Sequence, residues 1–266
     1  MKRKLSNNIP LLAVLVSVTI ASTLYLLAVS ASKYIWMLSA LVATGLSIRL
    51  IKVVRKAILE FLNGPARFCR GKGIEIGSCG RHLVKGSMLV DCITDYSHTI
   101  PYHVDYIADA HSLPQIPSGS MDYVCASHVL EHLTNPIRAI LEWLRILKPG
   151  GILWLKIPDK EKTFDRPRKR TTLAHLIEDF KNNPKADDPA HIDDHNMNTD
   201  PPRDQRHPYV HNHVWIPDDI LELFGYINEK LSALKIVKWE KNSCKNTQDF
   251  WIVIEKPGET RERQYA

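Results

Sequence analysis

The chain has 266 residues, of which 44% are hydrophobic and 24% charged, and its formal net charge is +6. This composition is typical of a folded protein, and the length allows one ordinary domain with an appendage. The basic residues are grouped locally and are not interleaved with aromatic ones, which argues against a nucleic-acid partner. The five cysteines include no Cys-x-x-Cys pair, which argues against a disulfide framework and a zinc ribbon.

An apolar region opens the chain. Residues 11–32 carry no charge and are about long enough, at 1.5 Å per residue, to cross a hydrocarbon core of ~30 Å. A second apolar run over 34–51 follows, and basic residues flank both outer ends, which places both ends in the cytoplasm. We therefore predict a membrane anchor over 1–56 and a linker over 57–70. A transmembrane helical hairpin is favoured over a single span or a cleaved signal ending at Ala31.

Short apolar runs alternate with helical periods in the rest of the chain, which is the pattern of an α/β domain. We expect this domain to span 71–256, with a polar tail over 257–266. The predicted strands are 73–80 with its glycine-rich turn, 88–91, 106–110, 121–127, 152–157, 235–239 and 250–255, the last as an antiparallel edge.

Polar residues close the first four predicted strands, three of them with the acids Glu75, Asp91 and Asp109 and the fourth with Ser127. Glycines let backbone amides approach a ligand closely, and successive carboxylates accept hydrogen bonds from an ammonium group, ribose hydroxyls and an adenine amine. A nucleotide-like ligand is therefore expected across the strand ends.

This series, with the Lys148-Pro149-Gly150-Gly151 turn, resembles the class I S-adenosylmethionine-dependent methyltransferases over roughly 71–255. The resemblance implies a Rossmann-like sheet of seven strands with helices on both faces, and S-adenosylmethionine as cofactor. Cys79 departs from the family pattern, since it stands where a second glycine is expected. The cofactor-binding residues that the resemblance implies are Glu75, Gly77, Ser78, Gly80, Asp91, Asp109, Ala110 and Ser127.

The segment after the fourth strand contains His128, Glu131 and His132. Their i, i+3, i+4 spacing places side chains on one face of a helix. With His213 they are the predicted catalytic residues, because histidine suits proton transfer from an oxygen acceptor near neutral pH. His128, Glu131 and His132 also resemble the acid-x-x-Glu-His metal site of some O-methyltransferases, with His211 or His213 to complete it. Metal binding, proton transfer and a purely structural role remain open at this point.

A long polar insertion over 160–213 follows the fifth strand and is predicted to cover the substrate. We expect a capped helix over 173–180 and a loop over 182–206. Arg166 and Arg168, with His211, are the candidate substrate contacts, since guanidinium groups bind phosphate or carboxylate.

Four short motifs resemble the methyltransferase domains that accompany glycosyltransferases in surface-polysaccharide pathways. They lie at 127–133, 157–160, 164–166 and 213–215. The resemblance implies O-directed methyl transfer to a glycan, a glycolipid or another membrane-proximal small molecule. One alternative is a quinone or lipid O-methyltransferase with a divalent metal. The other is a catalytically silent, membrane-tethered binding protein.

Overall fold

The computed structural model describes residues 15–27, 29, 44–54, 64–92, 103–205, 210–241 and 248–258. The chain divides into two compact units, Met1–Leu62 and Asn63–Ala266.

In the first unit the described residues 15–27 and 44–54 are helical, and their large apolar side chains are exposed. Within the part of the chain that the structure describes, no helix combines the length and apolarity needed to span a membrane. The predicted spans 11–32 and 34–51 extend outside the described residues, so the hairpin stays a prediction.

The second unit contains a mixed sheet of seven strands. They are β1 (Gly73–Ile76), β2 (Met88–Asp91), β3 (Tyr106–Ile107), β4 (Met121–Ser127), β5 (Leu147–Pro158), β6 (Lys235–Lys241) and β7 (Asp249–Glu255). The strand order is β3-β2-β1-β4-β5-β7-β6. Neighbours among β1 to β5 pair in parallel, whereas β7 is antiparallel to both β5 and β6. The prediction of a seven-stranded Rossmann-like sheet is confirmed.

The last strand is antiparallel as predicted, but it does not form the edge. β7 lies between β5 and β6, and every residue of it except Glu255 is buried. β6 is largely exposed. A continuous apolar run suits an interior strand that is covered on both faces, whereas an exposed strand suits an edge.

The described residues of the second unit contain four α-helices: α1 (Pro136–Ile146), α2 (Leu173–Asn182), α3 (Pro189–Asn198) and α4 (Pro217–Lys230). Residues of α1, α2 and α4 pack in one core with Val124 and Ala126 of β4. The alternate residues Tyr123 and Cys125 face a second core on the opposite side of the sheet. Cys125 is therefore a core residue, as predicted.

The prediction of helices on both faces is not met by the described residues, because the second core takes its described members from strands, residues 68–69 and Val84. The β1–β2 connection, 77–87, consists of turns and bends. It is too short for a packed helix with its two loops.

The insertion contains the predicted helix and one that was missed. Thr172 caps α2 by accepting a hydrogen bond from the His175 amide at 3.3 Å, as expected. The stretch 182–206, predicted as a loop, contains α3, whose cap Asp188 accepts from the amides of Ala190 and His191. Only two residues of α3 are buried, so the sequence carries no apolar period there.

Candidate active site

A cavity of about 1000 Å³ opens at the carboxyl ends of the parallel strands. The sheet contributes Gly77, Asp91, Asp109, Ala110 and Ser127 to its wall, and the insertion contributes Phe164, Arg203 and His211 among others. The volume suits a cofactor together with a small acceptor. The cavity also lies where open α/β sheets bind ligands, beyond the carboxyl ends of their strands.

Asp91 stabilises the glycine-rich loop after β1 through hydrogen bonds to backbone amides. Its Oδ2 accepts from the Cys79 amide at 3.0 Å and its Oδ1 from the Cys92 amide at 2.8 Å. Cys79 and Gly80 have φ of 47° and 68°, so cysteine adopts the left-handed conformation that glycine adopts most readily. Ser78 and Gly80 bond each other at 3.3 Å, Oγ accepting from N, and neither lines the cavity.

The Glu75 carboxylate is directed into the same loop and does not line the cavity. It is buried and accepts from the amides of Leu83 and Val84 at 2.8 and 2.6 Å, and from the Ser87 hydroxyl at 2.6 Å. Its predicted contact with the cofactor is therefore replaced by a role in shaping the loop.

Asp109 is held in the cavity wall by His111, a residue that the motif reading missed. Its Oδ1 accepts from the His111 amide at 2.9 Å and from His111 Nδ1 at 2.7 Å. The Asn135 amide donates to His111 Nε2 at 3.3 Å, so the ring carries its proton on Nδ1. The hydrogen bond from the His111 side chain lowers the pKa of Asp109.

A methyl group at Gly77 is expected to disturb this end of the cavity. Gly77 has φ +65°, and a Cβ there would collide with Val129 Cγ2. Gly77→Ala should therefore destabilise the fold by the left-handed cost of about 1–2 kcal/mol plus about 1–3 kcal/mol of overpacking. It should also weaken cofactor binding, measured by chemical denaturation and calorimetry.

Gly86→Ala is the matched control, since Gly86 also has a positive φ, +86°, but a Cβ there meets nothing within 4 Å. Equal losses of stability in the two variants would show that the Val129 contact is unimportant.

On the acceptor side of the cavity, His128, Glu131 and His132 do not lie on one face of an α-helix, although the sequence predicted this. α1 begins only at Pro136, after its cap Asn135, and Leu130–His132 forms a 3-10 turn. His128 precedes this turn with φ +57°. The side chains nevertheless converge: His128 Nδ1 lies 3.4 Å and His132 Nε2 4.0 Å from Glu131 Oε1.

His128 lies between two carboxylates. Its Nδ1 faces Glu131 and its Nε2 lies 3.3 Å from Asp249 Oδ1. Burial opposes the charged ring, but the carboxylates of Asp249 and Glu131 outweigh it and raise the pKa of His128 to about 9. Both ring nitrogens thus face an anion, which leaves no lone pair for the metal predicted at His128.

Glu131 is completely buried, and neither of its oxygens has a hydrogen-bond partner among the residues that the structure describes. Burial favours the neutral acid, but the neighbouring charged His128 keeps the pKa of Glu131 below its usual value. A buried carboxylate is costly without a cation beside it, and the charged His128 ring lies 3.4 Å away.

His132 and His211 are each held in one orientation. His132 Nδ1 donates to the Val210 carbonyl at 2.9 Å, and His211 Nδ1 donates to Asp165 Oδ2 at 2.6 Å. Both rings therefore keep the Nε2 lone pair in the neutral form. Burial lowers the pKa of His132 to about 4, so that ring is neutral at pH 7.

One atom each from Glu131, His132 and His211 lies within 4.8 Å of the others, in a group that could hold a metal ion. We call this the acceptor cluster; His132 and His211 line the cavity, and Glu131 lies behind them. Two imidazoles with fixed tautomers and one carboxylate are a donor set that suits a divalent transition metal. The predicted Glu131 and His132 are thus joined by His211.

Three other predicted residues do not reach the cavity. His213 is fully buried, with Nδ1 on the Leu133 carbonyl at 2.9 Å and Nε2 at 2.9 Å from Asp179 Oδ2. Arg168 is buried in ion pairs with Asp165 and Asp194. Arg166 is exposed outside the lining.

The arginines that line the cavity are Arg138 and Arg203, and neither was predicted. The Arg203 guanidinium stacks 3.7 Å above the centre of the Phe164 ring, a cation–π contact. Its Nε is buried without a hydrogen-bond partner in the described structure. No local pattern marks Arg203, because only the fold of the insertion brings it over Phe164.

Comparison with known proteins gives a match to the family described as "Methyltransferase domain" over residues 89–155. Over 70 residues the chain is 36% identical to an uncharacterized 37.1 kDa protein in transposon TN4556 of Streptomyces fradiae. That match covers 26% of this chain and only 20% of the relative.

Two solved structures are similar at low sequence identity. A SAM-dependent methyltransferase from Methanosarcina mazei has 16% identity and a TM-score of 0.43, covering 73% of this chain and 96% of that one. The N-methyltransferase NodS from Bradyrhizobium japonicum WM9 has 14% identity and a TM-score of 0.43, covering 77% and 96%.

Residues 89–155 match a methyltransferase domain, and the sheet that contains them has the Rossmann-like strand order expected of that domain. The predicted class of enzyme is confirmed.

Proposed function

We propose that this protein transfers a methyl group from S-adenosylmethionine to an oxygen of a glycan, a glycolipid or another membrane-proximal small molecule. One observation carries the proposal: the acceptor cluster borders the same cavity as the strand ends of the methyltransferase domain. An oxygen acceptor needs its proton removed or its charge stabilised, and this cluster offers both.

The residues of the cofactor side fit S-adenosylmethionine. Gly77 and Cys79 place backbone in the cavity wall, and the carboxylates of Asp91 and Asp109 border the same space. When bound, the cofactor supplies a methyl group on a sulfonium, which a nucleophile can displace. Asp91 keeps the loop closed and Asp109, fixed by His111, presents an acceptor for a ribose or adenine donor.

The residues of the acceptor cluster fit a divalent cation, since the buried carboxylate of Glu131 accepts no hydrogen bond from the described residues. Glu131, His132 and His211 would hold it, and it would lower the pKa of a bound hydroxyl. The Val210 carbonyl and the Asp165 carboxylate fix the two rings from behind, which is the usual outer shell of metal-binding histidines.

One specific observation favours a second arrangement, without metal. The 2.6 Å hydrogen bond from His211 Nδ1 to Asp165 orients the ring as a carboxylate orients a catalytic histidine, leaving Nε2 to accept the proton of the acceptor. This alternative uses the same reaction and the same cavity.

The polar lining of the cavity supports a hydroxyl-rich or anionic acceptor more than an apolar quinone. It includes Arg138 of α1, and Lys185, Arg203 and Gln205 of the insertion. Guanidinium and amide groups donate hydrogen bonds that sugar hydroxyls and phosphates accept.

We further propose that residues 1–56 anchor the protein to a membrane, with the methyltransferase domain on the cytoplasmic side. The support is apolar exposure within the first unit, where Leu24, Leu26 and Leu50 are 61%, 66% and 63% exposed. Basic residues at both outer ends suit anionic headgroups. Flotation of the full chain with lipid vesicles tests this: protein that stays in the aqueous fraction argues against an anchor.

The activity is tested with the full chain in detergent. Calorimetry should show S-adenosylmethionine binding, and labelled cofactor should transfer its methyl group to glycan or lipid extracts. Chelation should abolish transfer, and a divalent transition metal such as Mn²⁺ should restore it. Transfer that ignores chelator would favour the metal-free His211 arrangement, and binding without transfer to any extract would favour the silent binding protein.

A further inference from the structure

A second group of histidines lies away from the cavity, inside the insertion. It consists of His175 and Asp179 from α2, His191 from α3, and His213, and we call it the lid cluster. One atom of each lies within 4.8 Å of the others. None of the four lines the cavity, so the methyl-transfer site does not account for them.

The separations in the lid cluster match those around a tetrahedral metal ion. Asp179 Oδ2 lies 2.9, 3.2 and 3.5 Å from the Nε2 atoms of His213, His175 and His191, and the Nε2 atoms of His175 and His191 are 3.3 Å apart. Bonds of about 2.0–2.1 Å in a tetrahedron place ligand atoms about 3.3 Å apart. The His213 separation of 2.9 Å is the shortest of the four, and the other three lie between 3.2 and 3.5 Å.

The hydrogen bonds of Nδ1 in His213 and His191 show that the Nε2 atom of each ring faces the centre of the lid cluster. His213 Nδ1 lies 2.9 Å from the Leu133 carbonyl and His191 Nδ1 lies 3.1 Å from Asp188 Oδ1. Both partners only accept hydrogen bonds, so each Nδ1 carries the proton and each neutral ring has a lone pair on Nε2. In the neutral rings those lone pairs face the Asp179 oxygen, an arrangement that a metal ion between them satisfies.

We propose that the lid cluster is a structural zinc site, with His175, Asp179, His191 and His213 as its four ligands. Imidazole and carboxylate ligands in a closed set of four are typical of structural Zn²⁺, whereas Ca²⁺ and Mg²⁺ prefer all-oxygen sites. Asp179, His191 and His213 are buried, and His175 is partly exposed, which gives the ion a way in.

Zinc here would hold the segment around His211 against the turn after β4. His213 N donates to the Glu131 carbonyl at 3.2 Å, and Asn212 Nδ2 donates to the His132 carbonyl at 2.6 Å. The ion would join α2 and α3 to that segment and so position His211 in the acceptor cluster. Its loss should raise the KM for the acceptor more than the Kd for S-adenosylmethionine.

The test measures zinc in the full chain carrying Glu131→Gln, so that the acceptor cluster lacks its carboxylate. We expect one Zn²⁺ per chain by elemental mass spectrometry. Adding His175→Gln should abolish this and raise the zinc Kd by more than about 100-fold, because even outer-shell partners change metal affinity 10–100-fold. The partly exposed His175 can be replaced without opening the core, and circular dichroism checks the fold.

His103→Gln is the matched control, since this exposed histidine lies 3.4 Å from Asp105 outside both clusters. It should retain the zinc. Co²⁺ in the parent should show the intense visible absorption of tetrahedral coordination, lost on His175→Gln. Substoichiometric zinc after equilibration with Zn²⁺, equal zinc with and without His175, or a six-coordinate Co²⁺ spectrum would each overturn the proposal. These readouts are independent of methyl transfer.

Discussion

Glu131→Gln is expected to lower methyl transfer by more than about 100-fold, because the loss of even an outer-shell partner of a metal costs 10–100-fold. Binding of S-adenosylmethionine should be unchanged, since Glu131 does not line the cavity on the cofactor side. The midpoint of thermal unfolding should fall only slightly, because the ion pair with the charged His128 ring at 3.4 Å is lost, whereas a neutral amide is less costly to bury than a carboxylate. Calorimetry, a methyl-transfer assay and a thermal melt measure the three quantities.

Glu222→Gln is the matched control, an exposed glutamate on α4 that makes the same chemical change far from the cavity. It should leave all three quantities unchanged. Full turnover by Glu131→Gln would show that the acceptor cluster does not use its carboxylate.

Asp91→Asn is expected to weaken S-adenosylmethionine binding by roughly 10–100-fold, with turnover at saturating cofactor less affected. The two carboxylate oxygens accept from the amides of Cys79 and Cys92, and an amide replaces one acceptor with a donor. A hydrogen bond to a charged group is worth about 1.5–3 kcal/mol, and each 1.4 kcal/mol is tenfold in affinity. Calorimetric titration with the cofactor measures the effect.

Asp218→Asn provides the comparison, because Asp218 is exposed on the first turn of α4. Its cofactor affinity should equal that of the parent. A parent-like Kd for Asp91→Asn would mean that the loop after β1 stays closed without the carboxylate, and Asp109 would then become the principal acid on the cofactor side.

The strands, and the residues on the cofactor side of the cavity, could be predicted from the sequence alone. β2 and β4 have the predicted bounds, since a buried strand is a short apolar run that ends at polar residues. Asp91 and Ser127 end their strands, and Gly77, Asp109 and Ala110 come shortly after theirs. Parallel strands bring those ends to one edge of the sheet, where all five residues line the cavity.

The residues on the acceptor side of the cavity could be predicted from the sequence only in part. Glu131 and His132 were predicted for a helix face, yet they occupy a 3-10 turn because α1 begins later, at Pro136. His213 was predicted as catalytic, but its ring is fully buried beside Asp179. Nothing in a local pattern distinguishes a histidine that faces the cavity from one that faces a helix.

The sequence by itself determined the class of enzyme, the polar residues at the ends of the strands and the long polar insertion after the fifth strand. These features follow from local apolar patterns and short motifs. Only the tertiary structure decided which histidines meet. The hydrogen bond from His132 Nδ1 to the Val210 carbonyl spans 78 residues of chain, and it brings His211 beside Glu131. Such long-range pairings depend on how the insertion packs on the sheet, which the spacing of residues along the chain does not encode.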